Sequence, residues 1–195
     1  MSLLRPASRA LCAAALTLAF TAAAIGAEPM AQLAPGASHI GFVSKQMGVP
    51  MEGQFRKFDA QIAFDPKKPE GGTVALQIDM ASATLGVPQS DAELPKAPWF
   101  DTARFPKASF QSSAIKGLGD GRFEVAGRLT LKGVTQELVV PVTITQSADR
   151  STASGSFTIQ RLAFKVGEGE WTDTSMIGDE VQVRFKLVLT GLRPL

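Results

Sequence analysis

The sequence predicts an all-β fold, an eight-stranded antiparallel up-and-down barrel with a short helical insert near residues 90–104. Three observations carry that prediction. First, apolar residues recur at every second position, as in Val74, Leu76, Ile78 and Met80, or Val181, Val183, Phe185, Leu187 and Leu189. Successive side chains on a strand point to opposite faces, so each such run has one apolar face and one largely wet face. Second, Asp120-Gly121 and Lys132-Gly133 separate neighbouring runs, and Asp-Gly favours the positive-φ geometry of tight hairpins. Third, the runs follow one another at short spacing, which argues for next-neighbour antiparallel pairing. A two-sheet sandwich uses the same signals; the barrel is preferred because closure leaves no exposed edge strand.

The first 26 residues read as a secretory signal peptide. Arg5 and Arg9 precede a 14-residue Ala- and Leu-rich stretch from Leu11 to Ala24, followed by small residues suited to cleavage. That stretch falls short of the roughly 20 residues of a membrane span. The expectation is therefore an exported, periplasmic protein. Residues 27–37, rich in Ala, Pro and Gly, read as a loose leader, and 38–193 as one domain. The single cysteine, Cys12, lies inside the signal, so the mature domain is expected to hold neither a disulfide nor a reactive thiol. The chain carries 20 Lys and Arg against 18 Asp and Glu. Removing the signal takes Arg5 and Arg9 and no acids, which brings the mature domain to neutrality. Neutrality speaks against nucleic acid as a partner, since that would require a clustered basic face.

Strands are expected at about 39–47, 54–65, 73–84, 107–116, 121–132, 135–147, 152–164 and 180–192. One segment breaks this rhythm. Ser90-Asp91-Ala92-Glu93 has the spacing of a capping box, and Pro95 and Pro98 keep any helix short. Trp99, Phe100 and Phe105 follow, so this insert is expected to cap or plug one barrel end.

Little in the chain suggests catalysis. His39 is the only histidine and tyrosine is absent, which removes His-based triads and multi-His metal sites. Carboxylates at Glu168, Glu170, Asp173, Asp179 and Glu180 match no EF-hand spacing and read as a solvated loop, with Trp171 in its midst covering the barrel mouth. Lys45, Arg56 and Lys57 form a small basic cluster that could meet an anionic head group, although scattered surface charge explains it as well. The interior remains. Phe42, Phe58, Leu76, Ile78, Phe110, Phe123, Leu129, Val140, Phe157, Ile159 and Phe185 are the expected inward set, with Leu94, Trp99, Phe100 and Trp171 at the ends. An eight-stranded barrel is either filled by such side chains or holds one small ligand. Gly127, Ala60 and Ala114 fall in phase with the apolar residues and favour space, but periodicity alone leaves full and hollow interiors open.

Several segments, taken in order, carry a resemblance. They are Ser38-His39-Ile40-Gly41-Phe42, Lys45-Gln46-Met47-Gly48-Val49 and Gly53-Gln54-Phe55-Arg56-Lys57-Phe58. Then come Ser90-Asp91-Ala92-Glu93-Leu94 with Trp99-Phe100-Asp101 and Arg104-Phe105-Pro106. Gly127-Arg128-Leu129-Thr130-Leu131-Lys132-Gly133-Val134-Thr135 and Gly178-Asp179-Glu180-Val181 complete the set. Together they resemble the YceI-like family of exported lipid-binding proteins across about 38–191. The resemblance implies a lipocalin-like barrel whose apolar pocket holds a polyisoprenoid or isoprenoid quinone, with no cofactor and no catalysis. Many relatives carry histidine where Glu93 and Lys132 stand here, so the resemblance adds Glu93 to Lys45 and Arg56 of the basic cluster as candidates for the head group. The Trp171-Thr172-Asp173-Thr174 region is similar to the branch found beside membrane b-type cytochromes, which makes such a cytochrome a candidate partner. The contrasting expectation is a filled-core module that partners such a cytochrome or a stress-response complex through its outer face. Monomer and homodimer stay equally open.

Overall fold

The computed structural model describes residues 30–195; the signal-peptide reading of 1–26 lies outside them. Eleven strands make a closed antiparallel barrel. They are β1 (Met30–Leu33), β2 (His39–Gln46), β3 (Val49–Phe55), β4 (Phe58–Ala63), β5 (Thr73–Asp79), β6 (Ala83–Thr84), β7 (Lys107–Gly119), β8 (Arg122–Leu131), β9 (Val134–Ser147), β10 (Arg150–Gln160) and β11 (Glu180–Thr190).

Three pairs of these are single strands interrupted partway. β1 and β2 both pair with β11, on either side of a 3-10 turn at Pro35–Ala37. β4 pairs with β5 and β3 with β6, on either side of breaks at Arg56-Lys57 and Met80–Ser82. Counted as continuous strands they number eight, each hydrogen-bonded to its sequence neighbours, with the last closing on the first. This is the expected up-and-down order. The segment read as a loose leader is corrected in part: Met30 and Ala31 pair with β4, while Gln32 and Leu33 pair with β11. Ala31 and Leu33 place apolar side chains into the wall's packing, which a free leader would leave in water.

Turn chemistry explains the register. Asp120 and Gly121 sit at φ 55° and 71°, and Lys132 and Gly133 at 48° and 75°, as a two-residue hairpin with matched twist requires. β7 departs from simple alternation. Register shifts at Ser112/Ala114 and Gly117/Gly119 insert extra residues, and a bulge reverses which face the following residues present. Ala114 is therefore exposed on the outside, contrary to its expected inward phase, while Ile115 is buried.

The insert is also corrected in detail. Its helix, α1 (Pro88–Asp91), starts at Pro88, so Ser90 lies within it rather than capping it. Proline at the first helical position supplies the start through its fixed φ. Asp91 does the anchoring: its carboxylate accepts from the Thr84 hydroxyl at 2.6 Å and the Leu85 amide at 2.5 Å. Glu93 accepts from Lys96 Nζ at 2.6 Å.

Candidate functional site

One barrel end gathers the β2–β3 turn, the 85–106 insert, the β8–β9 turn and the 161–179 loop. The other gathers the β4–β5, β7–β8 and β9–β10 connections and the C-terminus. The second end is a floor of packed side chains. Phe64 and Phe123 meet edge to face at 5.2 Å, surrounded by buried Ile62, Ile115, Val125, Ile144 and Leu189. The first end is a roof, in which the insert's Leu94 and Phe100 pack on Met80, Leu131, Phe164 and Val166.

Between floor and roof lies an apolar cavity of ≈ 350 Å³, within the range of roughly 300–1,000 Å³ common for small-molecule sites. Glycine placement keeps it open. Phe42 lies over Gly53 of the neighbouring strand, Phe110 over Gly127 and Phe185 over Gly155. A Cβ at Gly127 would come 2.5 Å from Phe110 Cζ, and one at Gly155 2.7 Å from Phe185 Cζ. Without those Cβ atoms the rings lie flat against the wall instead of projecting across the lumen.

Fourteen of the fifteen expected pocket residues line this cavity: Phe42, Leu76, Ile78, Leu94, Trp99, Phe100, Phe110, Phe123, Leu129, Val140, Phe157, Ile159, Trp171 and Phe185. Phe58 does not. In phase with buried Ala60 and Ile62, it packs against the core beside the cavity and also borders a separate surface hollow with Pro35, His39 and Arg56. Of the three head-group candidates only Glu93 reaches the cavity. Lys45 is exposed, in the opposite phase to inward Ile40 and Phe42. Arg56 is exposed at the strand break and reaches Thr84 at 3.4 Å.

Sequence reasoning missed the most telling polar residue. Arg161 follows Phe157 and Ile159 in inward phase, borders the cavity and is only 2% exposed. Its five N–H groups donate to five backbone carbonyls. Nε reaches Gly178, Nη1 reaches Val166 and Gly167, and Nη2 reaches Trp171 and Ile177, all at 2.7–3.1 Å. Guanidinium presents five donors in a rigid fork, so Arg161 folds the 166–178 loop around itself. Burial lowers its pKa and the nearby Asp179 carboxylate opposes that shift. The signal that could have found it is a charge in phase with an apolar face.

Lys132 does similar work beneath the insert. Its Nζ is directed at the carbonyls of Ala97, Pro98 and Lys165 and at Glu168 Oε2. The loop amides of Gly167 and Glu168 in turn donate to Pro98 O. Trp99 and Trp171 close over each other with ring centroids 5.5 Å apart. The buried indole Nε1–H of Trp99 finds no acceptor among the described residues.

The acidic loop is dispersed rather than clustered. Glu168 goes to Lys132, Asp173 to Ser175 and Asp179 to the Leu162 amide. Among the described residues no three His, Cys, Asp or Glu side chains gather as a metal site. Lining residues that keep some exposure, including Ser44, Gln46, Met51, Leu85, Glu93 and Ile177, collect at the roof end. The mouth therefore lies between the β2–β3 hairpin, the insert and the 171–177 loop.

Residues 32–189 match the family model described as the YceI-like domain. The chain belongs to the YceI-like family. A crystal structure of Burkholderia cenocepacia BcnA is 44% identical and superposes with a TM-score of 0.78, over 80% of this chain and 99% of that one. A polyisoprenoid binding domain from Saccharophagus degradans is 20% identical with a TM-score of 0.67, over 84% of this chain and 98% of that one; at that identity the likeness speaks for the fold. Among curated proteins, a UPF0312 protein of Azotobacter vinelandii is 34% identical over 88 residues, 45% of this chain and 46% of the relative. This YceI-like chain thus spans about half the length of the curated relatives it matches.

Proposed function

We propose that this YceI-like protein is an exported, non-catalytic carrier that holds a long apolar lipid in the barrel, either a polyisoprenoid or an isoprenoid quinone. The single observation behind the reading is the lumen itself, kept open by three phenylalanine rings laid over glycines and walled almost wholly by apolar side chains. Each methylene buried there contributes about 0.8 kcal/mol, offset by the ordering of the chain. A cavity of ≈ 350 Å³ also weighs against the filled-core module. The polyisoprenoid binding named for the Saccharophagus degradans domain supports the ligand class by kinship.

The polar groups at the mouth favour an uncharged head. Among the described residues Arg161 is the one cation bordering the cavity, and every N–H of it is donated to a carbonyl. Glu93 brings negative charge to the same rim, while Ser44, Gln46 and Ser90 are neutral. A phosphate placed there would be desolvated without a free counter-charge, which is costly. A hydroxyl or quinone carbonyl fits. A membrane b-type cytochrome as consumer of a quinone rests on the resemblance of residues 171–174 alone.

The test is mass spectrometry of protein purified from a periplasmic extract, run native and again after organic extraction. A stoichiometric neutral isoprenoid released by solvent is the expected result. A clean apo mass that does not change after incubation with ubiquinone-8 would overturn the carrier reading, and retention of a polyprenyl phosphate in preference would overturn the neutral head.

A further inference from the structure

Four two-residue turns of this barrel put a non-glycine residue at positive φ, and only one of them places a large apolar side chain there. Asp120, Lys132 and Ala148 sit at φ 48–55° in three of them, a polar or small residue in each. In the β2–β3 turn the same left-handed position, φ 48°, is held by Met47, which is followed by Gly48 at 79°. Asn, Asp and Gly are the residues this geometry favours, so a methionine there gains nothing locally. Nor does it gain by packing, since Met47 is 71% exposed and Val49, on the other side of the turn, is 60% exposed.

A third exposed apolar side chain stands beside them. Met176 is 45% exposed, and its carbonyl accepts from the Met47 amide at 2.7 Å. The bridge between Gln46 and Ile177 and the Gly178 amide on Lys45 O join the two segments into one lip. Gln46 and Ile177, the alternate-phase neighbours of Met47 and Met176, border the cavity, as does Met51, which shares the phase of Val49. Apolar surface thus runs from the outside of the lip over its edge into the lumen. Across the mouth, Val87 is 46% exposed two residues after the cavity-lining Leu85.

The geometry points to this lip as a docking surface for a lipid bilayer, with Met47, Val49 and Met176 entering the boundary between head groups and acyl chains while the mouth faces the membrane. The inference rests on the cavity being a lipid site. A long apolar chain crosses open water only at the full transfer cost of its methylenes, so loading calls for direct contact between mouth and bilayer. An apolar lip continuous with the lumen supplies that contact. Charge at this end is mixed: Lys45 on the hairpin, Lys96 and Arg104 on the insert and Lys165 on the loop stand against Glu93, Glu170 and Asp173. Among the described residues no basic cluster gathers at this end to select anionic lipid, so contact is expected with neutral phosphatidylcholine and with little dependence on salt.

The test places an environment-sensitive fluorophore on Met47→Cys, with Val139→Cys as control, in chains whose Cys12 is replaced by serine. Val139 is 57% exposed on the barrel flank, away from the mouth. Phosphatidylcholine vesicles carrying acyl-chain nitroxides are expected to quench the label at 47 several-fold more than the label at 139. In parallel, the triple variant Met47→Ser, Val49→Ser, Met176→Ser is expected to slow delivery of ubiquinone-8 to such vesicles about tenfold. Its melting temperature and the amount of quinone held should stay unchanged, because none of the three residues lines the cavity. Equal quenching at 47 and 139 would overturn the proposal. So would a fluorescence change at 47 that follows protein concentration without vesicles, which would make a second copy the occupant. Selective quenching in a protein that takes up no quinone would uphold the docking surface and remove the lipid-carrier reading, so the two failures are distinguishable.

Discussion

The two ends of this barrel are closed by different physics. At the floor, Phe64, Phe123, Ile115, Ile144 and Leu189 exclude water by packing side chain on side chain. At the roof, a layer of apolar contacts is topped by two buried cations, Arg161 and Lys132, whose donors are directed at backbone carbonyls of the insert and the 161–179 loop. Separating a packed apolar cluster exposes its whole surface to water. Hydrogen bonds donated by cations contribute about 1.5–3 kcal/mol each, and at the roof they add to the packing of Leu94 and Phe100. The orphaned indole N–H of Trp99 adds a penalty to the closed roof of about 1–3 kcal/mol that opening relieves. The floor is held by side-chain packing, the roof by packing together with cation-to-carbonyl hydrogen bonds that tie the insert and the 161–179 loop.

The largest effect that would break this contrast lies at the floor. Phe123→Ala removes half of the Phe64 pair and is expected to cost about 3–5 kcal/mol of global stability, read by urea unfolding. A loss below about 1 kcal/mol would show that side-chain packing does not hold the floor.

At the roof, Arg161→Met leaves five carbonyls without their donor and is expected to cost about 3 kcal/mol. Hydrogen exchange should show that cost confined to residues 161–179 and 97–101, with floor amides unchanged. Uniform acceleration along the chain would erase the distinction between the ends.

A smaller effect sharpens the lumen. The three atoms nearest the Cβ of Gly53→Ala all belong to the Phe42 ring, so the ring is expected to swing into the cavity. Lipid held per protein should fall about tenfold with stability changed by less than about 1 kcal/mol. Unchanged lipid content would separate ring orientation from capacity.

The smallest effect concerns acid. Asp91 is held below the ordinary carboxylate pKa by the Thr84 hydroxyl and the Leu85 amide, and Asp65 by the Lys67 amide and Arg193. Groups depressed in the folded state contribute stability above their unfolded value near pH 3.9, and that contribution is lost as pH falls through the folded value. Asp91 anchors the insert and Asp65 the C-terminal segment near the floor. A modest loosening of both is therefore expected below about pH 4, read as exchange at 84–94 and 65–68 between pH 5 and pH 3. Loosening that began near pH 6 would implicate another group.

Much of the lumen was legible because a strand repeats every two residues. Val74 to Met80 and Val181 to Leu189 face inward in the phase their sequence shows. Arg161 was equally legible in phase and was passed over because a charge on an apolar face is unusual. Lys45 was misplaced for the converse reason, its charge having been weighed above its outward phase. Ala114 was not legible, since a bulge changes phase through pairing with another strand, whereas Phe58 keeps its inward phase and packs on the core without lining the lumen.

The amino-acid sequence by itself determined the all-β class, the strand count, the hairpin turns and nearly every side chain on the inner face. Alternation and turn preference are local, and each is written within a few neighbouring residues. Only the tertiary structure decided that the interior is hollow, that Phe42, Phe110 and Phe185 lie over glycines, and that Arg161 holds a loop over the lumen. Those outcomes depend on which residue of one strand stands beside which residue of the next, and that register is set by the closure of the whole barrel.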